Sequence, residues 1–260
     1  MTAGVALVTG ASAGIGREFC RQLAARGCDL VVVARDAARL GALAHELGST
    51  HGVRVEVLPA DLTRDADVDR VADRAATDPA LAMLVNNAGF GTVGRLATAP
   101  PEQQEAMLRL HVLAPMRLTR AALPGMLSRR EGAIINVSSV AGFFYSPGNV
   151  NYCASKAYLT TFTEGLALEL AGTGVAAQAL CPGFTHTEFH QRMGPDGRHR
   201  PPFMWLTAEG VARASLRQLD RGGPVVCVPG LRYKALVAMV GLLPRRAIGL
   251  LTGRRRPTAG

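Results

Sequence analysis

The chain has 260 residues, 48% of them hydrophobic, and 29 Lys and Arg against 20 Asp and Glu give a formal charge of +9. It is long and apolar enough to bury a full core as one domain, but it has no apolar run near the roughly 20 residues of a membrane span. The chain enters an apolar strand pattern within a few residues of Met1, so no signal peptide is expected. The excess charge is terminal, with no groove-reading element or aromatic stacking platform, so a nucleic-acid partner is not expected.

The first apolar run, 5–8, is short enough for a buried strand and leads into Thr9-Gly10-Ala11-Ser12-Ala13-Gly14-Ile15-Gly16. A helical pattern follows, with Ile15, Phe19, Leu23 and Ala24 on one face. Glycines between a strand and a helix permit a tight turn and close approach to a pyrophosphate, and the helix N-terminus offers N–H groups to it. The spacing is G-x3-G-x-G rather than G-x-G-x-x-G, and glycines alone often serve only turns. Position between strand and helix is what points to a nucleotide.

Further aliphatic runs recur at 30–33, 53–58, 82–85, 133–137, 175–179 and 225–228, with helical periodicity between them. This alternation predicts an α/β fold: a single-domain, Rossmann-like, doubly wound parallel sheet with helices on both faces. Right-handed crossovers then bring the loops that follow the strands to one edge. The expected division is a cofactor half over 1–130, a substrate half over 131–230 and a basic, apolar extension over 231–260.

The end of the second strand bears on cofactor choice. An acid there would bond the ribose 2′-hydroxyl of NAD. Counted from Gly27, that position is Ala34, followed by Arg35, whose guanidinium pairs with a 2′-phosphate that a carboxylate would repel. NADP(H) and the reductive direction are therefore favoured. Asp36 keeps NAD open, since a one-residue shift of register would make it the ribose ligand. Arg39, one helical turn on, reads first as a solvated surface Arg, with assistance to Arg35 as the alternative.

Ser139, Tyr152 and Lys156 stand thirteen and then four residues apart. Ser139 closes the strand-like run 133–138. Tyr152 and Lys156 share a helical face at i and i+4, where an ammonium favours the phenolate and lowers its pKa from about 10. Tyr152 is thereby suited to general acid/base work, and the Ser139 hydroxyl to bonding the same substrate oxygen. An isolated Y-x-x-x-K is ordinarily a helix start with a surface Lys; the dinucleotide loop tips the reading here.

The segments Thr9-Gly10, Gly14-Ile15-Gly16, Asp61-Leu62, Asn86-Asn87-Ala88-Gly89, Ser139, Tyr152-x-x-x-Lys156 and Pro182-Gly183 with Thr187 occur in that order. Over residues 4 to 187 the chain thus resembles the short-chain dehydrogenase/reductase family. The resemblance implies NAD(P)-dependent oxidoreduction of a carbonyl or alcohol, with Tyr152 as acid/base and Ser139 orienting the substrate oxygen. Lys156 would lower the Tyr pKa and hold the nicotinamide ribose. It also implies that Ser12 assists at the 2′-phosphate, that Asp61 and Leu62 flank the adenine, and that Asn87, Ala88 and Gly89 line the cofactor cleft. Pro182, Gly183, Thr185 and Thr187 would complete the cofactor site, Thr187 meeting the carboxamide or phosphates. Residues 184–205 would form a mobile lid touching substrate through Phe184 and Phe189, in a homodimer or homotetramer.

One position departs from the family pattern. His111 stands where an Asn is expected to hold a water linking the Lys to solvent. Imidazole also donates and accepts, so two readings stay open: a relay with altered pH dependence, or a tolerated residue that weakens turnover. The second admits an alternative function, an NADP(H)-binding regulator or scaffold.

The lid residues Phe184, Phe189, Met193, Phe203, Met204 and Trp205, interleaved with Arg192, Arg198 and Arg200, suit an apolar carbonyl compound carrying an acidic group. A fatty-acyl, steroid-like or polyketide ketone fits, although core packing explains the same composition. His45 and His51 read as solvated. His186 and His190 bracket Thr187 without the partners a metal needs, so no metal is expected. Cys20, Cys28, Cys153, Cys181 and Cys227 are odd in number and mostly within apolar runs, as buried thiols in a reducing cytoplasm are. Residues 231–260 carry Arg232, Lys234, Arg245, Arg246, Arg254, Arg255 and Arg256 and no acid, +7 of the formal +9. That extension suits a helix closing the substrate cleft or packing on another subunit; peripheral contact with an anionic membrane or a lipid-like substrate is the alternative.

Overall fold

A computed structural model describes residues 4–92, 94–189, 201–244 and 246–249. Strands β1 (Val5–Thr9), β2 (Asp29–Ala34), β3 (Val55–Pro59), β4 (Leu81–Asn86), β5 (Gly132–Val137), β6 (Val175–Leu180) and β9 (Val226–Cys227) form one sheet in the order β3-β2-β1-β4-β5-β6-β9. Every neighbouring pair is parallel. The fold is the doubly wound α/β sheet the sequence predicts, and the strand bounds move from the aliphatic runs by one or two residues.

The period of two along each strand divides the core. Ala6, Val8, Leu30, Val32, Met83, Val85 and Ile135 meet Phe19, Leu23, Leu40, Leu43, Leu47, Val211 and Leu216 of α1 (Gly14–Ala24), α2 (Ala37–His51) and α7 (Ala208–Asp220). Leu7, Val31, Val33, Leu84 and Ile134 face the other way. They meet α3 (Asp65–Thr77), α5 (Ala114–Arg129) and α6 (Val150–Glu169) through Val68, Val71, Leu118, Met126 and Leu166. Both sheet faces are covered, which is why the strands read as continuous apolar runs.

The sheet order reverses between β1 and β4, so the chain leaves these two strands in opposite directions and a crevice opens beyond their carboxyl ends. Helix α4 (Pro101–Leu108) runs through one π-turn, Arg109–Leu113, into α5. Pro115 explains the turn: it has no N–H for the carbonyl of His111, and the widened turn relieves the clash its ring would make. Two short strands were not legible in the sequence. β7 (Thr185–His186) pairs with β8 (Leu206–Thr207), tying together the two ends of the 184–205 segment. Helix α8 (Leu231–Leu242) packs Tyr233, Leu236 and Val237 against Cys181 and Val228.

Candidate active site

Thr9 closes β1 and fastens it to the loop after β4. Its hydroxyl donates to Val85 O (3.3 Å) and accepts the N–H groups of Asn87 and Ala88 (2.9 and 3.0 Å). The Asn87 amide answers by donating to Thr9 O and Gly10 O (2.9 and 3.2 Å). Asn87 therefore braces the glycine loop with its side chain, and Asn86 turns into the core to donate to Asn136 Oδ1 (2.8 Å). A Cβ at Gly16 would lie 2.3 Å from Gly10 O, so the loop folds this tightly only with glycine there.

Helix α1 starts from this loop without a capping side chain at Ala13 and without an acid in its first turn. Its leading N–H groups and positive dipole end are thus left to an anion, and a dinucleotide pyrophosphate fits that donor set. Ser12 is half-buried at the tip of the loop. The Thr187 methyl lies across Gly14, 2.8 Å from where a Cβ would stand, and its hydroxyl reaches Thr185 O (3.4 Å). Thr185 is buried and donates to Gly183 O (3.0 Å). Asp61 spends its carboxylate on Thr63 (2.8 Å to Oγ1), and Leu62 sits in the core cluster with Val68 and Val71.

At the end of β2 the register is as counted: Ala34 is the last strand residue and Arg35 is exposed after it. Asp36 is the N-cap of α2, accepting the Arg39 N–H (3.0 Å). Its carboxylate is engaged by the helix it starts. Arg39 is exposed, as expected, and is also ion-paired. It grips both carboxylate oxygens of Glu188 (2.8 and 3.0 Å) and lies 3.4 Å from Asp36, linking α2 to the segment after β7. The sequence separation of 149 residues hid that pair.

Ser139 follows β5 and caps a short 3-10 turn, Val140–Phe143, accepting the Ala141 N–H (3.1 Å). Its hydroxyl reaches Pro182 O (3.5 Å) and acts on the Tyr152 phenol by holding its pKa down. The relation of Tyr152 to Lys156 differs from expectation. The Lys156 ammonium is buried and donates to Val137 O (2.9 Å), 5.9 Å from the centre of the Tyr152 ring. Removal from water pushes the phenol up to about 12, the Ser139 hydroxyl opposing it, and burial pushes Lys156 down to about 8. Desolvation is the largest cause, so at neutral pH the phenol keeps its proton.

His111 lies under this pair and is 1% exposed. Its Nε2 accepts the Phe90 N–H (3.2 Å), which puts the ring proton on Nδ1. Nδ1 donates to Ser155 Oγ (3.1 Å), whose own proton goes to Tyr152 O (2.9 Å). Burial, with Lys156 adding to it, holds the imidazole well below its ordinary pKa, so it is neutral. Both ring nitrogens are engaged in joining the loop after β4 to the backbone of Tyr152. Neither reading of His111, relay or tolerated residue, included this structural clamp between the loop after β4 and α6. The ring also forms one wall of an aromatic lining, 5.9 Å from Tyr152, and Phe189 closes the other side at 5.8 Å.

Within the expected lid, Phe184 and His186 both pack on Trp205 (5.8 and 4.8 Å), so His186 is a support for that ring. His190, Arg192, Met193, Arg198 and Arg200 lie outside the described residues. Cys153 is buried beside Tyr152, and burial pushes its thiol up, which makes it a packing residue. Sequence reasoning missed Tyr233. Its ring fills the space over Gly183, where a Cβ would come within 2.0 Å, and its hydroxyl accepts the Phe184 N–H (3.0 Å) and donates to Met204 O (2.7 Å). No local pattern signals this, because Gly183 and Tyr233 meet only through the fold.

Residues 4–197 match the family model described as short chain dehydrogenase. A short-chain dehydrogenase from Sphingobium yanoikuyae, solved in complex with NADPH, superposes with a TM-score of 0.84 at 37% identity, covering 99% of this chain and 98% of that one. The bulky-bulky ketone specific alcohol dehydrogenase from Comamonas testosteroni gives a TM-score of 0.80 at 30% identity, over 100% and 98% of the two chains. The D-beta-hydroxybutyrate dehydrogenase of Cupriavidus necator is 37% identical over 191 residues, 72% of each chain.

Proposed function

The chain belongs to the short-chain dehydrogenase family and is an oxidoreductase, and from that premise we propose that it is an NADP(H)-dependent reductase of bulky, apolar ketones. The observation that carries the reading is buried Lys156, bonded to Val137 O and 5.9 Å from the Tyr152 ring, at the sheet edge where the uncapped α1 begins. Gly10, Gly14, Ile15 and Gly16 hold the pyrophosphate, Lys156 the nicotinamide ribose, and Pro182 and Gly183 with Thr187 the nicotinamide end. Bound there, the nicotinamide supplies the hydride for the carbonyl carbon.

The protein's part is the proton and the geometry. A phenol kept protonated at neutral pH is the donor that a reduced carbonyl oxygen needs, which favours the reductive direction. Ser139 orients that oxygen, and the His111–Ser155 bonds hold the Tyr152 backbone where the phenol meets it. Arg35 takes the 2′-phosphate, because Asp36 is engaged as a helix cap. The aromatic lining of Phe189, Phe184 and Trp205 supports an apolar substrate, as does the ketone named for the Comamonas relative. Residues 1–230 act as the catalytic domain. Exposed Leu108, Tyr158 and Leu168 on α4 and α6 support a homo-oligomer, and the free cysteines a cytoplasmic location.

The test is NADPH oxidation with a panel of aromatic and steroid-like ketones. Tyr152→Phe is expected to lower kcat about 10²–10⁴-fold while the NADPH Kd holds. A Tyr152→Phe enzyme that keeps most of its activity overturns the proposed chemistry.

A further inference from the structure

Helix α8 is apolar on both faces although only one is packed. Tyr233 and Val240 turn inward with Leu236 and Val237 beside them. On the opposite side, Leu231, Ala235, Ala238, Met239 and Leu242 follow the i, i+4, i+7, i+8, i+11 spacing of a single stripe. Leu231 is 84% exposed, Met239 54% and Leu242 87%, and no polar side chain interrupts them. Exposed Arg232 borders the stripe on one side and exposed Lys234 on the other. Phe203, 62% exposed, extends the patch at its start, its ring 5.6 Å from the Arg232 guanidinium. Beyond the helix the sequence continues basic: residues 231–260 hold seven cations and no acid.

We propose that this face of α8 docks the protein on the surface of an anionic phospholipid membrane. An apolar stripe edged by Lys and Arg is the form of a helix lying in the lipid interface, its hydrocarbon residues between the acyl chains and its cations reaching the headgroups. The seven cations without an acid supply the charge complement. A second copy of the chain is a poorer occupant. It would present the same basic patch, and two patches of like charge repel as they approach. Among the described residues no helix is long and apolar enough to cross a membrane, so the helix lies on the surface. The patch is also separate from the exposed leucines of α4 and α6.

Co-sedimentation of the full chain with phosphatidylglycerol–phosphatidylcholine vesicles, and with phosphatidylcholine alone, tests the proposal. Binding to the anionic vesicles that weakens with added salt is expected. Arg232→Gln combined with Lys234→Gln should weaken it about thirtyfold, from the attraction each cation near such a surface contributes. Leu231→Ser combined with Leu242→Ser should weaken it at least about tenfold by removing the apolar anchor. Both pairs point away from the core, so melting temperature and NADPH affinity should hold. Absence of binding at low salt, or equal binding by wild type and both variants, overturns the proposal. So does a lower light-scattering mass for the Leu231/Leu242 variant, which would make the face a subunit contact.

Discussion

At the scale of single residues, the site is governed by how far each titratable group is removed from water. Tyr152 and Lys156 share a helical face, yet burial favours the neutral form of each, raising the phenol to about 12 and lowering the ammonium to about 8. His111 follows the same rule. It is neutral in the fold, its pKa well below 6.5, whereas the unfolded chain takes up its proton near 6.5. Between those values the unfolded state binds more protons, so stability must fall as pH drops below 6.5. His111→Asn carries no such proton. Its denaturation midpoint should decline less than that of wild type between pH 7 and pH 5. Parallel declines would mean that His111 is not held neutral.

At the scale of elements, glycines and caps decide where segments meet. Gly183 in the loop after β6 and Tyr233 on α8 are one contact, and the Tyr233 hydroxyl joins Phe184 to Met204 across it. Tyr233→Phe keeps the ring but strands the Phe184 N–H, a loss of about 1–3 kcal/mol. Gly183→Ala should cost more, because its methyl must displace the ring. Urea unfolding of the two variants checks the order, and a Tyr233→Phe protein as stable as wild type removes the hydroxyl from the account. The Asp36 cap works at the same scale. By starting α2 it turns the residue that most resembles an NAD ligand into a helix cap and leaves Arg35 beyond the strand.

At the scale of the whole molecule, the parallel sheet brings the glycine loop, Ser139 and the loop after β6 to one edge from positions far apart in the chain. A cofactor bound there stabilises the entire domain. At 100 times its Kd, NADPH should add about 2.7 kcal/mol and raise the melting temperature by about 5–10 °C. NADH at the same concentration should raise it less, and equal shifts would remove Arg35 from the cofactor assignment. The strands, helices, glycine loop and the order of the motifs were legible in the sequence because they depend on neighbours. Period two or 3.6, a turn glycine, or a Tyr and Lys one helical turn apart are local facts. The Arg39–Glu188 pair, the Tyr233 ring over Gly183 and the His111 bonds join residues 149, 50 and 44 apart. The direction of each pKa shift likewise depends on which side chains exclude water, and only the tertiary structure decides that. The sequence by itself determined the sheet and the family and proposed the residues for the chemistry; the packed chain determined the protonation of those residues and what holds them in place.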